Sequence, residues 1–185
     1  MKTQKRWKFI RKGFKSENGN TKWKIGEWAE PIEDIEMCNQ GYHCSKEICQ
    51  AFSYVQGEIL CEVECKGKHE SGKDKEVWET QRIVRAYKWT KKDSVALAVY
   101  SSELCLDDFE KIYPKDKRPR EAIEAAKKWL KNPTKVNRSA ARSAESAAWS
   151  AWSAARSAAR SAESAVIKKI SKWMDKRLLV LEEIK

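Results

Sequence analysis

From Ser139 to Ala165 the chain reads SAARSAESAAWSAWSAARSAARSAESA, a serine every three or four residues and an alanine after each. That spacing averages close to the roughly 3.6-residue turn of an α-helix. Wound as a helix, the serines form one stripe and the alanines the next, about 100° round. Arg142, Glu145, Trp149, Trp152, Arg156, Arg160 and Glu163 occupy the remaining surface. A face of small residues suits close approach by another helix, at or below the low end of the usual separation of about 8–10 Å. Serine's middling helix propensity makes it a poor choice for a solitary solvated helix. Buried serines can donate back to a carbonyl one turn earlier. Ala147, Ser150, Ala151, Ser153, Ala154 and Ala158 are therefore expected at a helix–helix seam, within the chain or between copies in a homo-oligomer.

Neither glycine nor proline follows Pro133, and Ile167, Ile170, Met174, Leu178, Leu181 and Ile184 carry an apolar stripe onward. A single helix over 135–185 would be about 75 Å long at roughly 1.5 Å per residue. It is expected either to bend back near residue 166 or to project and pair with copies of itself. Upstream, Pro119 suits the first turn of a helix whose apolar face is Ala122, Ile123, Ala126, Trp129 and Leu130, stopped at Asn132–Pro133.

The first part of the chain has a different period. Arg6–Phe14 alternates basic with apolar residues, and Thr21–Trp28 reads as a second strand across a turn at Ser16–Asn20. Tyr42–Cys44 is a short strand. Ser45 is an expected N-cap for a helix bearing Ile48, Phe52 and Val55. Ile59–Lys66 alternates strictly, with Ile59, Cys61, Val63 and Cys65 on the expected core face. A polar loop is expected at 66–75, a strand over Arg82–Trp89, and a helix capped by Asp93 and packing onward to Pro114. The fold class that follows is α+β: a small mixed or antiparallel sheet domain with short helices over 1–114, then an all-α tail of long Ser/Ala-rich helix over 115–185.

Charge narrows the partners. The chain carries a net +11, and residues 1–24 hold nine Lys/Arg against Glu17 alone, while Glu27–Glu36 holds five acids and no base. Such asymmetry suits an anionic ligand, an acidic protein or weak nucleic-acid binding. No zinc-finger spacing or other nucleic-acid recognition motif accompanies it. The start of the chain lacks the apolar core of a signal peptide, and no apolar run approaches the roughly 20 residues of a membrane span. A cytoplasmic location with reduced cysteines is expected. The cysteines have none of the close pairs of a zinc site, so buried thiols are expected and neither metal nor cofactor. Trp7, Trp23 and Trp28 lie among lysines, which fits either base stacking or the shell of a small core.

Lys12-Gly13-Phe14, Cys38, Gly41-Tyr42-His43-Cys44, Phe52/Tyr54 and Cys61-Glu62-Val63-Glu64 with Gly67 together resemble an uncharacterised domain of phage and bacterial proteins. More distantly, this arrangement resembles the ADP-ribosyltransferase core, which consumes NAD. That resemblance implies Arg11, Tyr42 and Glu79 as a catalytic set. Residues 121–185, with EAIEAAKKWLKNPT and the Ala-rich run after it, resemble the helical tails of immunity-like phage proteins. The expected function is a non-enzymatic, phage-type accessory protein, with counter-defence as one role. It would bind a nucleotide-like ligand through Arg11, Trp23, Tyr42 and His43, or a host protein, and be assembled by its C-terminal helices. Nucleic-acid binding and NAD-dependent transfer are the competing expectations.

Overall fold

The computed structural model describes residues 3–18, 21–133 and 160–185. The seam expected at Ala147, Ser150, Ala151, Ser153, Ala154 and Ala158 lies outside the described residues, as does the tip of the turn at 16–20.

The strands are β1 (Gln4–Ile10), β2 (Tyr42–Cys44), β3 (Ile59–Ser71), β4 (Glu76–Lys88) and β5 (Glu183–Ile184). They run antiparallel in the order β1-β3-β4-β2, with β5 on β4. Two further hydrogen bonds, Trp7 N to Ser45 O and Ser45 N to Trp7 O, both 2.9 Å, join β1 to the end of β2. The order thereby returns on itself and the sheet curls into a ring. That bridge pairs part of the outer edge of β1, and an unpaired edge is a standing hazard for a small sheet. The ring encloses Ile10, Trp23, Tyr42, Cys44, Ile59, Cys61, Val63, Cys65, Trp78, Ile83 and Ala86.

Local chemistry sets the other elements. Ser45 does not cap the first helix, because its backbone is committed to Trp7. Helix α1 (Ile48–Tyr54) is instead capped by a reciprocal box between Glu47 and Gln50. The stretch 21–28 forms isolated bridges (Lys15 with Lys22, Ile25 with Ile83, Trp28 with Arg82) rather than a strand. Gly26, at φ +85°, breaks the extended run and donates its N–H to Ile83. The polar 66–75 segment is not a loop. β3 runs on to Ser71 and turns back at 72–75, with a bulge at Gly67, which takes φ +91°. The alternation of β3 does not leave one face wet: Leu60 and Glu62 are also buried. Phe9, Phe52 and Trp89, with ring centroids 5.2–5.6 Å apart, form an apolar layer of their own.

Helix α2 (Lys91–Ile112) starts at Thr90, and Asp93 completes the capping box as third residue rather than as the cap. Helix α3 (Arg118–Lys131) has proline in its first turn as expected. Val95, Val99, Leu106, Ile123, Ala126 and Trp129 pack between α2 and α3. Helix α4 spans Arg160–Leu178. The tail is therefore not all-α: it leaves the helix and ends as β5, where Ile184 packs against the ring's core. By their contacts the residues group into two compact units, Met1–Trp89 with Met174–Lys185, and Thr90–Trp173. Helix α2, read from sequence with the strands, groups with α3. Among the described residues no helix is long and apolar enough to cross a membrane.

Candidate functional site in the ring interior

Strand alternation identifies β1 but does not say which parity faces inward. Register decides it. Arg6, Lys8 and Ile10 stand opposite Val63, Cys61 and Ile59, and directly opposed residues share a face. The basic residues of RWKFI therefore point into the ring, while Phe9 packs on the outer layer with Phe52 and Trp89.

Inside, two cations meet different environments. Arg6 Nε donates to Glu76 Oε2 at 2.6 Å and its Nη2 to Oε1 at 3.2 Å. Glu76 also accepts from Trp78 Nε1 at 2.9 Å and Ser71 Oγ at 3.3 Å, with Lys46 Nζ 3.4 Å away. Burial alone would raise the carboxyl's pKa, but the hydrogen bonds from Arg6, Trp78 and Lys46 outweigh it and bring it down to about 2. The Lys8 ammonium, by contrast, is met by Gln81 Oε1 at 3.1 Å and by the face of Trp23 at 4.2 Å. Burial pushes its pKa down, against the pull of the Cys44, Cys61 and Cys65 thiols. Gln81 is itself anchored, donating Nε2 to Tyr42 O at 2.9 Å. Burial also pushes the Cys61 thiol up to about 12 and raises the Cys65 thiol, which favours the protonated, less reactive form of both. Cys44 and Cys65 lie Sγ to Sγ at 3.7 Å as free thiols.

A desolvated ammonium with only neutral partners is costly. Lys8→Met is accordingly expected to raise stability at neutral pH, by about 1 kcal/mol in denaturant titration. The pH dependence fixes the sign. Folded Lys8 has a lower pKa than the ordinary 10.5, so the unfolded chain binds more protons below 10.5. Its contribution to wild-type stability therefore improves as pH rises towards that value. The advantage of Lys8→Met should shrink over the same range.

The residues singled out from sequence are distributed as follows. Trp23 and Tyr42 meet edge to face with centroids 5.5 Å apart, both buried. Trp23 Nε1 donates to Ser16 Oγ at 2.9 Å, and Tyr42 Oη donates to the Glu30 carbonyl at 2.8 Å. These two are brought together, as core. His43 follows Tyr42 on a strand and so points to the opposite face. Its Nε2 accepts the Cys38 N–H at 2.9 Å, and burial, with Lys75 nearby, lowers its pKa. Arg11 is exposed and bound to Glu17, with Nε to Oε2 at 2.7 Å. Glu79 accepts the Lys68 N–H at 2.8 Å beside the Gly67 bulge, where a Cβ on residue 67 would lie 2.4 Å from its Oε2. Arg11, Tyr42 and Glu79 are thus engaged by three separate partners. Cations already lie over the aromatic faces offered for stacking: Lys8 over Trp23, and Lys66 and Arg82 over Trp28 at 4.0 and 4.9 Å.

Sequence reasoning missed Arg6, Lys8, Glu76 and Gln81. The one signal available was the basic parity of RWKFI opposite the cysteine parity of ILCEVEC, and it needed the register to be read.

No curated protein and no solved structure matches the chain. Residues 4–94 match the family described as Domain of unknown function (DUF7666), and neither this description nor the next names a transferase. Residues 88–172 match the family described as Imm-5 like putative immunity protein. The chain is thus similar to an uncharacterised domain over the strand ring and to the Imm-5 like putative immunity family over the segment that begins with α2 and α3.

Proposed function

We propose that this chain is a non-enzymatic, immunity-type accessory protein that binds a partner protein through helices within residues 88–172. On this reading the partner is a toxic protein that the chain neutralises by binding it. The observation that carries this reading is the immunity-protein match over 88–172. The occupied state of the N-terminal aromatics supports it from the other side. Trp23 and Tyr42 are core residues with internal partners, which moves the weight from a nucleotide-like ligand to a protein. The net charge of +11 favours an acidic partner and fast, salt-sensitive association. Self-association through the Ser139–Ala165 seam belongs to the same proposal.

The test is co-production in a bacterial host with each protein encoded beside this chain's gene. One neighbour is expected to be toxic alone, harmless in the chain's presence, and recovered bound to it in a salt-dependent complex. Toxicity unrelieved for every toxic neighbour, together with a melting shift on adding a mono-, di- or cyclic nucleotide, would overturn the reading in favour of the ligand.

A further inference from the structure

The Cys38 turn and the tip of the β3–β4 hairpin bring a thiol and an amine together on the surface. Backbone hydrogen bonds from Glu36 to Gln40 and back, at 2.8 and 3.0 Å, close the turn. Within it Cys38 takes φ +68°, a conformation that residues other than glycine seldom adopt. The His43 imidazole holds it there by accepting the Cys38 N–H. Glu70 steadies the preceding residue, its Oε2 accepting the Met37 N–H at 3.1 Å. Across the gap, Gly72 N donates to Lys75 O at 2.8 Å and fixes the hairpin tip. Lys75 Nζ then lies 2.7 Å from Cys38 Sγ and 4.6 Å from the centre of the Tyr54 ring. An ammonium has donors only, so the sulfur is the acceptor in this contact. Cys38 is the exposed cysteine; Cys44, Cys61 and Cys65 are buried and Cys49 and Cys105 only partly exposed. Cys49 has a carboxylate, Glu47, at 3.4 Å.

The geometry points to Cys38 and Lys75 as a peroxide-responsive modification site that closes into a reversible sulfur–nitrogen crosslink. In the first step the Cys38 sulfur attacks hydrogen peroxide. An S–O bond forms, the O–O bond breaks, and the departing oxygen takes the thiol proton to leave as water. Sulfur loses two electrons and the peroxide gains them, giving a sulfenic acid. In the second step the Lys75 amine, having lost one proton to solvent, attacks that sulfur. An S–N bond forms, and the S–O bond breaks as hydroxyl leaves with an amine proton as water. No backbone movement beyond closing a contact already at 2.7 Å is required. Two equivalents of an added thiol reverse it, returning thiol and amine and forming the reagent's disulfide. The crosslink ties the 36–40 turn to the hairpin tip across a long stretch of chain, which restricts the unfolded state.

The experiment treats the full-length folded protein with hydrogen peroxide, alkylates free thiols in denaturant and maps the peptides by mass spectrometry. A linked peptide joining Cys38 to Lys75, lighter by two hydrogens and abolished by dithiothreitol, is expected. The oxidised protein should melt higher than the reduced one. Lys75→Arg keeps the charge but removes the primary amine. It should give no link and instead several-fold more sulfenic acid at Cys38, trapped by a 1,3-dione. Cys38→Ser should show neither signal and no melting shift. The proposal is overturned if wild-type Cys38 is trapped by the dione with no link to Lys75. It is equally overturned if Cys38 reacts with peroxide no faster than Cys49 and Cys105.

Discussion

Glu76→Gln is expected to destabilise the strand ring by about 3–5 kcal/mol, the usual result of leaving one partner of a buried ion pair uncompensated. Glu76 is 1% exposed, and its carboxylate receives Arg6, Trp78, Ser71 and Lys46. Glutamine offers one acceptor oxygen where the carboxylate offers two, and its amide would face the Arg6 guanidinium donor to donor. Replacing the pair together, Arg6→Met with Glu76→Leu, should recover most of the loss, because the desolvation cost leaves with the charges. Denaturant titration of the four proteins gives the coupling directly. The same carboxyl sets an acid limit. Its folded pKa of about 2 lies below the ordinary 4.5. Its contribution, about 3 kcal/mol, is therefore present above 4.5 and drains away as pH falls from 4.5 towards 2. In Glu76→Gln that segment of the acid-stability curve should flatten.

Trp129→Ala is expected to cost about 3–5 kcal/mol within the helical unit, the range for losing a buried tryptophan. Trp129 is 7% exposed and packs with Val95, Val99, Leu106, Ile123 and Ala126. The effect should be regional. Hydrogen exchange in Trp129→Ala should quicken across 91–131 and leave β3 and β4 protected; in Glu76→Gln the pattern should reverse. Equal quickening of both regions by either variant would show that the two units unfold as one.

Much of this fold is legible in the sequence where period and punctuation agree. ILCEVEC and RIVRAYKW announce strands, Pro119 announces α3, and the cysteine parity of β3 is the inward one. What escapes is set by partners distant in the chain. Ser45 looks like a cap, but its backbone is claimed by Trp7. The polar run 66–75 looks like a loop, but its first part, to Ser71, pairs with β4, whose Glu76, Val77 and Trp78 are the buried partners there. The last residues continue a helical stripe in sequence, yet Glu183–Ile184 add to β4 because Ile184 completes a core built from the other end of the chain. The sequence leaves the tryptophans among lysines open between stacking on a ligand and shielding a core; in the fold the ring turns Lys8 inward onto Trp23. No local pattern separates those two outcomes.

The most direct test of the account is hydrogen-exchange mapping of the chain alone and in complex with the neighbour-encoded protein whose toxicity it relieves. The expected result is new protection confined to residues 88–172, with exchange in β1, β3 and β4 unchanged. Protection appearing in the strand ring or in the turns at 21–40, with none in 88–172, would contradict it and assign partner binding to the N-terminal domain.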